Sequence, residues 1–126
     1  MKALNIVETA YRATLEEQDD TIVWLTHAMK GAGADLSVLL RGNAVNYAVQ
    51  GQEVAPLSFG ARTQANAPDI AGQVAGLIGK GVDVYIVQED LADRGLSAGE
   101  LIDGLTPVSR SDLPGLLDNY DQVWHW

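Results

Sequence analysis

Apolar and polar positions along this chain fall into a pattern that is used twice. Residues 21–30 carry the spacing of a helix body, with Asp19 or Asp20 placed as its N-cap. Gly31 and Gly33 break that helix, and the near-continuous apolar run at 34–40 reads as a strand. The second copy runs from about Asp69 to Val87. There Ile70, Val74, Leu77 and Ile78 sit at helical spacing, Gly79-Lys80-Gly81 closes the helix, and 82–87 is the strand. Strands apolar on both faces belong in a sheet covered by helices on both sides. The alternation of helix, glycine and strand therefore predicts a doubly wound α/β domain with a mainly parallel sheet.

Weaker signals fill in the rest. Residues 3–8 form a first strand, and a polar stretch follows from Thr9 to Gln18. Within it, Thr14-Leu15-Glu16-Glu17 suits a capping box that starts the first helix early. Residues 43–50 predict a short helix, 52–68 a loop-rich excursion with Pro56, Gly60 and Pro68, and 98–102 a helical turn or two. Ser111 or Asp112 caps a further short helix with Pro114 in its first turn, and 121–126 is a terminal strand. The expectation is one domain over 1–126 with four or five strands and about five helices.

Charge and composition narrow the function more than the fold. The chain has 126 residues, and 17 acidic against 8 basic residues give a net charge of −9. The Lys and Arg residues are scattered singly, which argues against nucleic acid and against docking on anionic lipid. No run approaches the roughly 18 apolar residues of a membrane span, and the first residues lack a signal-peptide pattern. Cytoplasmic residence is the expectation. There is no cysteine, hence no disulfide, no thiolate metal site and no cysteine nucleophile.

In an open parallel sheet, ligands bind beyond the carboxyl ends of the strands. That rule selects 9–14, 41–44 and 88–95, and within them Tyr11, Arg12, Arg41, Asn43, Gln88, Glu89, Asp90 and Arg94 as ligand-binding candidates. Arg12, Arg41 and Arg94 either converge on an anion or serve as loop-end ion pairs. Asp90 and Asp93 also suit the start of a helical turn, where carboxylates favour the dipole. Gly31-Ala32-Gly33 precedes a strand and is no dinucleotide fingerprint, and no phosphate-loop lysine exists. His27 and His125 lie too far apart for a zinc pair, and Ser37 and Ser58 lack a nucleophile elbow. No metal and no cofactor are expected. Trp124 and Trp126, two residues apart, point to one strand face, where they either cap their own core or make an oligomer contact, and the second is the expectation.

Four segments in order carry a family resemblance: Leu39-Leu40-Arg41-Gly42-Asn43-Ala44-Val45, Ala92-Asp93-Arg94-Gly95-Leu96, Glu100-Leu101-Ile102-Asp103-Gly104 and Asp118-Asn119-Tyr120-Asp121-Gln122-Val123. Together they are similar to the DsrE/DsrF-like family of small, Tus-like sulfur-relay proteins. The resemblance implies a flavodoxin-like three-layer sandwich assembled as trimers or hexamers. It also implies a persulfide-carrying cysteine just past the third strand, ahead of Arg94-Gly95. Here that window is Ile86-Val87-Gln88-Glu89-Asp90-Leu91, and Val87 or Asp90 stands where the thiol would be. Neither side chain forms a persulfide, which needs a thiolate. Three readings stay open. The first is a non-catalytic homo-oligomer that scaffolds or regulates a sulfur-relay partner. The second is a small-ligand or anion-binding protein. The third is an enzyme using Glu89 and Asp90 with pKa values pushed apart.

Overall fold

The twofold helix–glycine–strand pattern becomes two copies of one helix ending. In a computed structural model, which describes residues 1–12 and 14–126 and all side chains among them but that of residue 16, strand β1 (Lys2–Val7) leads through the short helix α1 (Thr14–Glu17) into helix α2 (Thr21–Gly31) and strand β2 (Asp35–Leu40). At the end of α2, Ala34 N–H donates to Met29 O and Gly33 N–H to Lys30 O, with Gly33 at φ 91°. Helix α3 (Ile70–Gly79) ends the same way before its strand: Val82 N–H donates to Leu77 O and Gly81 N–H to Ile78 O, with Gly81 at φ 78°. Both are Schellman closures, and both need the left-handed conformation that glycine adopts at least cost.

Each helix also starts on an aspartate. Asp20 caps α2 by accepting from Ile22 and Val23 N–H at 2.9 and 3.0 Å, and Asp69 caps α3 through Gly72 N–H at 3.0 Å. Residues 14–17 do not extend α2, because Gln18 turns to φ 64° between them. Ala13, in the first candidate ligand segment, and the Glu16 side chain of the expected capping box lie outside the described residues.

The α3 strand is β5 (Val84–Val87). Between β2 and α3 the chain makes a 3₁₀ helix (Gly42–Ala48) and a small antiparallel hairpin, β3 (Ser58–Phe59) with β4 (Arg62–Thr63). After β5 come helix α4 (Gln88–Asp93), strand β6 (Thr106–Val108), helix α5 (Leu113–Leu117) and strand β7 (Gln122–His125). Pro114 stands in the first turn of α5, as expected, but Asp112 makes no side-chain cap there and takes the Ser109 hydroxyl instead.

The main sheet has five parallel strands in the order β6-β5-β2-β1-β7. Strand parity divides its residues between two layers. Ala3, Val7, Leu36, Val38, Leu40, Val84 and Ile86 pack beneath α2, α3 and the 3₁₀ helix, through Val23, Val74, Leu77 and Tyr47 among others. Leu4, Ile6, Leu39 and Val87 face the other way, against Leu113, Leu116 and Leu117 of α5 and Tyr120. Burying each such aliphatic side chain stabilises by about 1.5–3 kcal/mol. The result is the flavodoxin-like three-layer α/β architecture expected from the sequence. One buried polar thread crosses it: Asn5 Nδ2 donates to the Thr26 hydroxyl at 3.0 Å, and Asn5 Oδ1 accepts from Trp126 Nε1 at 3.3 Å.

Candidate functional site

The carboxyl edge of the sheet is a row of ionisable side chains, one from the end of every strand. Across the sheet they run Arg110 after β6, Asp90 after β5, Arg41 after β2, Glu8 after β1 and His125 at the end of β7. Basic and acidic groups alternate along the row, and most of them are spent on one another. Asp90, only 6 % exposed, takes Gly42 N–H on Oδ2 at 2.7 Å and the Arg110 guanidinium on Oδ1. Arg110 also reaches Asp93 at 3.0 Å, and its N–H donates to Glu89 Oε2 at 2.8 Å. Glu8 lies 2.6 Å from His125 Nε2 and 3.8 Å from Arg41 Nε. Arg41 Nε is buried and takes no hydrogen bond among the described residues.

Gly42 makes the Asp90 contact possible. It sits at φ 55°, and a Cβ there would stand 3.1 Å from Glu8 Cγ. Burial by itself raises the Asp90 carboxyl. The Gly42 N–H, the Arg110 hydrogen bond and the charges of Arg110 and Arg94 together outweigh it and hold Asp90 below the usual carboxylate value. A carboxylate so committed is a poor proton donor, and no thiol stands near it. Glu89 accepts from the Arg110 backbone N–H, while Asp90 accepts from the Gly42 N–H and the Arg110 guanidinium.

The eight candidate residues do not enclose one space. Arg41 is turned to Glu8, while Arg94 donates to Asn43 Oδ1 at 2.8 Å and to the Asp90 carbonyl at 3.1 Å. Arg12 and Gln88 are exposed. Of the eight, Tyr11 alone lines the cleft beside helix α3. This cleft, of about 650 Å³, is bounded by Tyr11, Thr14, Leu15, Gly51, Gln52, Val54, Pro68 and the start of α3. Tyr11 is held there at φ 61° because its N–H donates to the Tyr47 hydroxyl at 2.7 Å, and Tyr47 in turn donates to Asp20 at 2.6 Å. Burial first, then the hydrogen bond to Asp20, pushes the Tyr47 hydroxyl well above the usual phenol value, so it stays a donor. Among the described residues no three His, Cys, Asp or Glu side chains come together as a metal site, and no helix is long and apolar enough to cross a membrane.

Trp124 and Trp126 share a face, as their spacing predicts. With Leu25, Met29, Val123 and His125 they line a groove of about 570 Å³ along the edge strand β7. The partners that sequence reasoning missed are Glu8, His125 and Arg110 on the edge row, and Tyr47, Gln52 and Asp69 around the cleft. Glu8 and His125 stand at strand ends, a signal that was available; Arg110 follows a strand whose central residue is proline.

The profile of the DsrE/DsrF-like family matches residues 2–125. No curated protein matches the sequence. Among solved structures, the YchN protein from E. coli is similar at a TM-score of 0.71 and 19 % identity, with 100 % of each chain covered. The conserved protein of unknown function BT1422 from Bacteroides thetaiotaomicron is similar at a TM-score of 0.66 and 16 % identity, over 98 % of this chain and 94 % of that one. The protein of unknown function MTH1491 from Methanobacterium thermoautotrophicum gives 0.59 and 15 %, over 98 % and 96 %. At these identities the structural likeness speaks for the fold.

Proposed function

Because the chain belongs to the DsrE/DsrF-like family, we propose that it is a member without sulfur chemistry of its own, acting in the cytoplasm as a homo-oligomer that scaffolds or regulates sulfur-relay partners. The observation that carries this reading is Asp90. It stands at one of the two positions where the resemblance puts a persulfide cysteine, with its carboxylate committed to Gly42 and Arg110. The other position, Val87, is buried against the α5 layer. A carboxylate held in an ion pair supplies neither the nucleophile nor the polarizable sulfur that the transfer needs.

Assembly is supported by the β7 side of the molecule. Val123 and Trp126, exposed at 42 and 40 %, line the Trp124 groove, Trp24 of α2 is exposed at 56 %, and β7 is an edge strand. An open apolar edge carrying tryptophans is a liability in a monomer and an asset at an interface. Light scattering is expected to give a trimer or hexamer, reduced to monomer by Trp24→Glu with Trp126→Glu. A wild-type monomer would overturn the assembly. Incubation with a polysulfide donor is expected to leave the mass unchanged; a stable one-sulfur increment would overturn the non-catalytic role.

A further inference from the structure

The cleft beside Tyr11 is separate from the charged edge row and has a chemistry of its own. Its walls are Leu15, Val54, Pro68, Ile70 and Ala71, with Pro68 and Ile70 buried. Its volume falls in the range of small-molecule sites, which are mostly apolar with a few placed polar groups. Thr14 offers a hydroxyl that can act either way, and Tyr11, Gln52 and Asp69 present acceptors. Tyr11 spends its proton on Gln52 Oε1 at 3.2 Å, which leaves the phenol oxygen's lone pairs free, and the Gln52 amide N–H groups are spent on Asn46 O and Val49 O. Asp69 uses Oδ1 on Gly72 N–H, and its Oδ2 takes no hydrogen bond among the described residues. No Lys or Arg lines the cleft among the described residues.

The cleft wall is also held in a costly conformation. Tyr11 at φ 61° and Gln18 at φ 64° flank the helix α1 that supplies Thr14 and Leu15. A left-handed non-glycine residue costs about 1–2 kcal/mol. Here the buried Asp20–Tyr47 pair holds Tyr11 in place. Backbone strain overdetermined by its surroundings gathers at ligand clamps.

We propose that this cleft is a binding site for an uncharged, ring-bodied small molecule that presents an N–H donor, such as an aryl amine or amide, and that it rejects anions. The apolar walls take the ring, Tyr11 Oη and Asp69 Oδ2 take the donor, and an anion would meet a carboxylate with no cation to pair it.

Two dyes that differ by one sulfonate test this: N-phenyl-1-naphthylamine and 8-anilinonaphthalene-1-sulfonate, titrated by fluorescence into the intact protein. The amine is expected to bind saturably, and the sulfonate at least about tenfold more weakly. Ala71→Trp, which fills the cleft, is expected to abolish amine binding with the circular dichroism spectrum unchanged. Val54→Arg, on the exposed rim, is expected to invert the preference toward the sulfonate, an outcome that misfolding does not produce. Trp126→Glu, in the β7 groove, is expected to leave amine binding intact. Absence of saturable amine binding, equal binding of both dyes, or binding lost in Trp126→Glu and kept in Ala71→Trp would overturn the proposal.

Discussion

Asp20 and Asp90 are both buried carboxylates on the carboxyl side of the sheet, 3 and 6 % exposed, and they are satisfied in opposite ways. Asp20 takes only neutral donors: the Ile22 and Val23 N–H groups and the Tyr47 hydroxyl. It thereby joins a helix start, the 3₁₀ helix and, through Tyr47, the backbone of Tyr11. Asp90 takes one backbone N–H and a guanidinium whose side chain is 49 % exposed. The difference teaches what each can be used for. A carboxylate held by buried neutral groups is architecture, and it shapes the cleft beside it. A carboxylate neutralised by a half-exposed arginine is an ion-pair plug, tunable by salt and acid, at a place where relatives are expected to do chemistry.

The comparison is broken most directly at Asp20. Asp20→Ala removes the α2 cap, about 1 kcal/mol, and strands the buried Tyr47 hydroxyl, about 2 kcal/mol more. A loss of about 3 kcal/mol is expected in urea denaturation, against about 2 kcal/mol for Tyr47→Phe, which keeps the α2 cap but leaves Asp20 Oδ2 and the Tyr11 N–H without their partner. No loss in Tyr47→Phe would mean that the Asp20–Tyr47 bond does not hold the two elements together. Gly42→Ala comes next, at about 1–2 kcal/mol, because alanine must hold a left-handed φ. Its Cβ would also displace the Glu8 side chain 3.1 Å away. Asp90→Asn is expected to cost about 1 kcal/mol, since the charged hydrogen bonds it weakens are partly screened by water. That cost is expected to shrink in about 1 M salt, whereas the Asp20→Ala cost is expected to stay. A salt-independent Asp90→Asn loss would erase the contrast between the two carboxylates.

How much of this was legible in the sequence follows from how local each interaction is. The α2 and α3 boundaries were readable because Asp20 and Asp69 bond to amides two or three residues away and Gly33 and Gly81 close the helices within one turn. The tertiary roles of the same residues were not. Asp20 meets Tyr47 across 27 positions, and Glu8 meets His125 across 117; nothing in a local pattern encodes either. Strand β6 was missed because it is three residues long with Pro107 at its centre, which an edge strand tolerates and a propensity argument rejects. The hairpin Ser58–Phe59 with Arg62–Thr63 was hidden in a loop for a similar reason of length. Of the candidate arginines, Arg41 turns to Glu8 and Arg94 to Asn43 and the Asp90 carbonyl, while Arg12 stays exposed. The cleft formed from Val54, Pro68 and Ile70, which carry no chemical signature.

Acid gives the finest test of the contrast. Asp90 titrates lower in the folded chain than in the unfolded one, because the Gly42 and Arg110 contacts outweigh burial. The folded state therefore binds fewer protons there, and the stabilisation from Asp90 is complete above the unfolded carboxylate value, near pH 4. It is lost as pH falls through the lower folded value. Asp90→Asn does not titrate, so the stability gap between wild type and variant is expected to be flat from about pH 7 to pH 5 and to close below about pH 4. Parallel urea titrations of the two proteins measure that gap at each pH. A gap that shifted in favour of the wild type in acid would mean that burial dominates and that folded Asp90 holds its proton. The site past β5 would then be a protonated carboxyl in an apolar wall, and carboxylate chemistry there would return as the better reading of this chain.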